Sequence, residues 1–172
     1  AVSSWPPRDE AAPLPDFLRP VDPRLPQTVG VNFNAIVVSE SGFIPPDSMG
    51  DVGPTQVLVI ANGRIKVFSK AGVLGALNVS TDTFFQSVRV GGTSDPHIRY
   101  DRLSQRWFVV MIDVGACGNQ VLIAVSSGPT ITGAASFTFF RFVGEPNGTN
   151  PHFTDYPTLG VDNNALYIGG NM

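Results

Sequence analysis

The sequence is short of charge, of cysteine and of lysine, and each shortage excludes something. Asp, Glu, Lys and Arg make up 15% of the 172 residues, against about 25% in average usage. With 42% hydrophobic residues, the chain is too apolar to remain open as a disordered polymer. A formal net charge of −3 without a basic run argues against a protein that holds nucleic acid by charge. The single cysteine, Cys117, excludes an intrachain disulfide. Lys66 and Lys70 are the only lysines, against nine arginines. No apolar run is long enough to read as a membrane-spanning helix, so no membrane insertion is expected. No secretory leader is expected in this stretch, and Ala1-Val2-Ser3-Ser4 reads as a mature end left by processing, or as a trimmed chain. The sequons Asn78-Val79-Ser80 and Asn147-Gly148-Thr149 are tripeptides that arise often by chance and carry little weight; the low cysteine count fits a bacterial protein in a secreted or extracellular surface location.

What the sequence has in quantity is glycine (18), proline (15) and phenylalanine (12). Gly and Pro weaken helix interiors, so the expectation is an all-β, turn-rich chain. Two regions are expected. Residues 1–28 form a Pro-rich segment, punctuated by Trp5, Leu14, Phe17, Leu18 and Leu25. Proline removes amide donors, so this segment is either a loose tail or an extended arm that docks on a surface. Residues 29–172 read as short strands. Residues 29–38 alternate and then turn apolar, as a strand does. Residues 56–61 and 64–69 flank Asn62-Gly63, the signature of a type I′ hairpin. Residues 81–86 read as one helical turn capped by Thr81 or Asp82. A second hairpin joins 97–101 to 106–112. Further strands are expected at 121–126, 137–142, 158–162 and 165–170.

A unit recurs along this region: a small residue, Asp, a Gly or Pro, a strand, a turn, a strand. It places Asp51, Asp95 and Asp155 at equivalent positions. Spacings of this order, filled by short antiparallel strands, are those of β-propeller blades; an antiparallel sandwich also marks its turns with Asp and Gly. The words Pro45-Pro46-Asp47-Ser48-Met49-Gly50-Asp51-Val52-Gly53-Pro54, Ser94-Asp95-Pro96, Tyr100-Asp101 with Arg106-Trp107, Ile123-Ala124-Val125-Ser126 and Asp155-Tyr156-Pro157 resemble, in order, a family of bacterial secreted β-propellers loosely sialidase-like in fold. The resemblance implies a fold and an exported location and carries no catalytic residue. About three blades fit in this length. The expected architecture is therefore an incomplete propeller behind an extended arm, with the rest of a longer chain or another subunit completing the sheet.

Chemistry is sparser. Asp51, Asp95 and Asp155, at one end of successive blades, could together hold calcium through oxygen ligands; the plainer expectation is that each caps its own turn. No other cofactor is expected. A sialidase-like hydrolase would need an arginine cluster with a Tyr and an acid. Arg99, Tyr100, Asp101, Arg102 and Arg106 lie close in sequence, but Asp101 reads as a turn former and the Ser-x-Asp-x-Gly-x-Thr-Trp blade motif is missing. His97 and His152 lack metal-site spacing, and Cys117 has no neighbouring base. The expected function is non-enzymatic: an extracellular module for binding, adhesion or scaffolding, with a glycan or protein ligand. The alternatives are a glycan-active hydrolase or lyase completed by residues outside this chain, and a self-assembling surface or filament subunit exchanging arm and strand.

Overall fold

In a computed structural model the residues described are 28–115, 119–143 and 153–171. Every element below lies in the unit Val31–Met172. The Pro-rich segment, Cys117 and His152 fall outside the described residues.

Among its described residues this unit has ten strands, two single α-helical turns and one 3-10 turn, Ala134–Ser136. The first sheet runs in chain order through β1 (Met49–Val52), β2 (Gln56–Ala61), β3 (Arg64–Ser69) and β4 (Leu74–Val79). The second does the same with β5 (Gly92–Asp101), β6 (Arg106–Val114), β7 (Gln120–Ser126) and β8 (Phe137–Val143). A two-stranded ladder follows, β9 (Asp155–Val161) with β10 (Leu166–Asn171). All pairings are antiparallel between chain neighbours, and no sheet closes on itself. The α-helical turns are α1 (Val38–Ser41), ahead of β1, and α2 (Thr81–Phe84), between the sheets. The all-β reading holds for the described residues.

The sheets stack face to face because β6 offers apolar residues on both sides. Its run Trp107-Phe108-Val109-Val110-Met111-Ile112 has no polar interruption, the mark of a strand covered on both faces. Trp107, Val109 and Met111 pack with Leu58, Ile60, Ile65 and Val67 of the first sheet and with Phe84 and Phe85 at α2. Val110 and Ile112 point the other way, onto Leu159, Leu166 and Ile168 of the β9–β10 ladder. Phe84 is met edge-on by Phe85, Phe137 and Phe139 at centroid distances of 4.9, 5.1 and 5.0 Å, the arrangement that aromatic quadrupoles favour. The Trp107 indole N–H donates to the Pro129 carbonyl at 2.9 Å. A Cβ on Gly53 would stand 2.6 Å from the indole Cζ2, so only glycine lets the chain after β1 lie on this ring.

Three local expectations are corrected. Residues 29–38 form no strand: 28–37 are irregular and Val38 opens α1. There Glu40 turns back to accept from the Val37 amide (3.1 Å), and Phe33 packs on Phe68 at 4.9 Å, so this stretch is held by side chains rather than by a ladder. The Asn62-Gly63 turn has one left-handed residue, Gly63 (φ 84°), instead of the two of type I′. The cap of α2 is Ser80, whose hydroxyl accepts from the Thr83 amide at 3.0 Å.

Replacing Trp107 by Ala removes the largest fully buried side chain and is expected to cost about 3–5 kcal/mol in urea unfolding. A loss below about 1 kcal/mol, within the range of ordinary surface substitutions and little more, would mean that the ring does not organise the seam.

Candidate functional site

The start of the first strand is built alike in both four-stranded sheets and in the ladder. In β5 the register passes from Ser94↔Ile112 to His97↔Val110, so Asp95 and Pro96 together oppose Met111. In β9 it passes from Asp155↔Asn171 to Thr158↔Gly169, so Tyr156 and Pro157 oppose Gly170. Ahead of β1 the Asn62 amide donates to the Pro46 carbonyl (2.7 Å) and Met49 pairs Ile60, so Asp47 and Ser48 oppose Ala61. The first residue of each bulge is left-handed: Asp47 (φ 42°), Asp95 (φ 55°) and Tyr156 (φ 47°). That conformation is costly for a residue with a Cβ, more so before proline, and persists where the surroundings fix it.

This register corrects the repeat read from the sequence. Asp47, Asp95 and Tyr156 are the equivalent residues; Asp51 and Asp155 are not equivalent to Asp95. Asp51 sits within β1 opposite Leu58, where its carboxylate accepts from the amides of Tyr100 and Val52, both at 2.7 Å. Asp155 lies one residue ahead of its bulge. Asp95 accepts from Ser94 Oγ at 3.0 Å. Burial, followed by repulsion from Asp47 and Asp155, pushes the Asp95 carboxyl above its ordinary value, with the Ser94 and Tyr156 hydrogen bonds opposing. Among the described residues no three His, Cys, Asp or Glu side chains come together as a metal site. Of Asp51, Asp95 and Asp155, read from the sequence as calcium ligands, Asp51 has its carboxylate on the Tyr100 and Val52 amides.

Two buried asparagines tie each sheet to the next. Asn62, in the β2–β3 turn, accepts from the Asp95 amide at 2.9 Å and donates to Asp47 Oδ2 at 2.7 Å. Asn119, ahead of β7, accepts from the Thr154 amide at 2.9 Å and donates to the Thr154 carbonyl at 2.5 Å. Each amide reaches from a hairpin loop of one sheet to the chain entering the next.

Beside this row opens a cavity of about 520 Å³ between the first two sheets. Its walls include Phe43 on the rim, Arg64 from the start of β3, Ser80 and Asp82 around α2, and Thr93 and Ser94 from β5. The floor is ordered by its own hydrogen bonds. Asp82 Oδ1 accepts from the Thr93 amide and hydroxyl, both at 2.9 Å, while its Oδ2 lies 3.6 Å from Arg89. Glu40 binds buried Lys66 at 2.5 Å, and that bond holds the Glu40 carboxyl below its ordinary value. No local pattern marks this cavity, because its wall residues are scattered from 40 to 114 along the chain.

The remaining candidates do not converge. Asp101 caps its own turn, accepting from the Leu103 and Ser104 amides at 3.1 and 2.9 Å. Arg99 alternates with Tyr100 along β5 and bonds the Ile98 carbonyl, so the two side chains lie on opposite faces of the strand. His97 is 8% exposed and neither ring nitrogen has a hydrogen-bond partner; its ring stands edge-on to Tyr156 at 5.9 Å. Comparison with family models, with curated proteins and with solved structures found no significant match to this chain.

Burial, reinforced by Arg99 and opposed by Asp95, holds the His97 pKa below its ordinary 6.5. The unfolded chain therefore takes up a proton that the fold refuses. This contribution to stability is complete above about pH 6.5 and is lost as the pH falls toward the folded value. His97→Phe, which keeps a ring against Tyr156, should lose less stability between pH 7.5 and 5 than the parent in thermal unfolding; equal losses would show that His97 is not the group responsible. Asn62→Ala, which strands the Asp95 amide and the Asp47 carboxylate, should cost about 1–3 kcal/mol by denaturant titration. A cost near zero would show that the amide does not tie the two sheets.

Proposed function

We propose that this chain is an extracellular ligand-binding module of β-propeller type, with the cavity between its first two sheets as the binding site and a small saccharide as its ligand. The propeller reading is supported by successive four-stranded meanders, by β1 lying against β5 and β5 against β9, and by the same left-handed bulge at each first strand. First strands side by side around an axis, with later strands outward, are how blades are arranged. The exported location and the likeness to sialidase-like propellers belong to this proposal on the strength of the sequence words alone.

The observation that carries the ligand class is the composition of the cavity wall. A half-exposed aromatic ring, Phe43 at 51%, stands with a guanidinium, a carboxylate and hydroxyls from Arg64, Asp82, Ser80 and Thr93. Its volume of about 520 Å³ falls in the range of small-molecule sites, roughly 300–1,000 Å³. A sugar presents an apolar face for stacking and a rim of hydroxyls that both donate and accept. Phe43 suits the face; Arg64 donates, Asp82 accepts, and the hydroxyls do either.

A glycan array followed by calorimetry tests this. Gly92 lines the cavity, and a Cβ there would meet nothing within 4 Å, so Gly92→Trp fills the space without crowding the backbone. Binding of at least one saccharide is expected, weakened about tenfold or more (about 1.4 kcal/mol) by Gly92→Trp and by Phe43→Ala. No saccharide bound, or binding indifferent to both variants, would overturn the assignment; turnover of the glycan would replace a binding module with an enzyme.

A further inference from the structure

At the opposite end of the same seam, where the β5–β6 turn meets the turn after β3, lies a second pocket of about 330 Å³. We propose that it is a binding site for an anionic group, a carboxylate, sulfate or phosphate. Lys70, Arg102, Gln105 and Tyr100 stand around it. This places a point-charge ammonium, a planar guanidinium fork and an amide about one small volume, with no carboxylate on the wall. The guanidinium fork matches the geometry of an oxyanion with two oxygens, and a lysine adds charge without demanding direction.

The nearby carboxylates are already engaged. Asp101 is held by the amides of its own turn, and Asp51 by those of Tyr100 and Val52. Neither Lys70 nor Arg102 makes an ion pair with a described residue; the two ion pairs among those residues are Lys66–Glu40 and Arg89–Asp82. The chain thus sets one of its two lysines at the same pocket as an arginine in a protein of net charge −3, and no described carboxylate pairs with either.

The wall is also rigid. Gly53 lines the pocket with its backbone pressed on Trp107. The Tyr100 ring leans on the same indole at 4.8 Å, and its hydroxyl, sealed from water, has no hydrogen-bond partner. Gln105 is held left-handed at φ 55°, which fixes the turn that carries Arg102. Two cations so placed cannot neutralise one another, and an anion between them relieves their repulsion.

The experiment titrates the whole protein with sodium sulfate, sodium phosphate and sodium glucuronate, each against chloride at matched ionic strength. Backbone amide shifts of residues 70 and 100–106 are followed by NMR. Saturable shifts confined to this corner are expected for at least one of the three, weakened tenfold or more in Lys70→Gln and in Arg102→Gln, with unfolding midpoints unchanged because both side chains are exposed. Saturation with glucuronate alone assigns the site to a sugar acid; saturation with sulfate or phosphate assigns it to the inorganic group or its esters. Shifts equal to those in chloride, or undiminished in both variants, would overturn the proposal. Since the saccharide cavity shares no residue with this pocket, Gly92→Trp separates failure of one site from failure of the other.

Discussion

The burial of β6 on both faces is the constraint on which the rest of this structure depends. A strand whose successive residues are all apolar cannot lie at a surface, and its two sets of side chains must each find a partner layer. Trp107, Val109 and Met111 draw in the first sheet; Val110 and Ile112 draw in the β9–β10 ladder. Without the first layer there is no seam for either pocket to open from. Without the second, His97 and Tyr156 would have no contact to make.

Apolar stacking is non-directional and would leave the sheets free to slide. The direction comes from the polar devices at the strand starts. A left-handed residue bends the chain into each first strand, and a buried asparagine from the sheet before holds the backbone beside it, with Asn62 on Asp95 and Asn119 on Thr154. A buried amide satisfied on both its oxygen and its nitrogen fixes register more sharply than hydrophobic contact can. The cost of three left-handed residues is offset at positions where the chain turns from one layer to the next, and that is the end at which the larger cavity lies.

Much of this architecture is legible in the sequence, and the parts that are not fail for identifiable reasons. The hairpins β2–β3, β5–β6 and β9–β10 announce themselves by alternation around short turns, and β7 and β8 by their apolar content. β1 escapes notice because Met49-Gly50-Asp51-Val52 is short and contains both a glycine and an aspartate. Residues 29–38 alternate like a strand but have no neighbour to pair with. The repeat was visible while its register was not: identical letters align Asp51 with Asp95, whereas hydrogen-bonded partners align Asp47 with Asp95 and with Tyr156. A bulge adds a residue that no letter marks, and a tyrosine stands where the other two units have aspartate. The candidate sites suffered more, because a cavity wall drawn from α1, α2, β3 and β5 has no local spacing to detect. Arg102 stands out in the sequence only beside Arg99 and Asp101, a grouping that strand alternation and turn capping prevent.

Native-state hydrogen exchange in low urea tests the central role of β6 most directly. If both flanking layers depend on it, the amides of Val109, Val110, Met111 and Ile112 exchange only through global unfolding, with the denaturant dependence of the whole transition. Exchange of these amides through local openings, at protection no higher than that of the outer strands β4 and β10, would contradict the account.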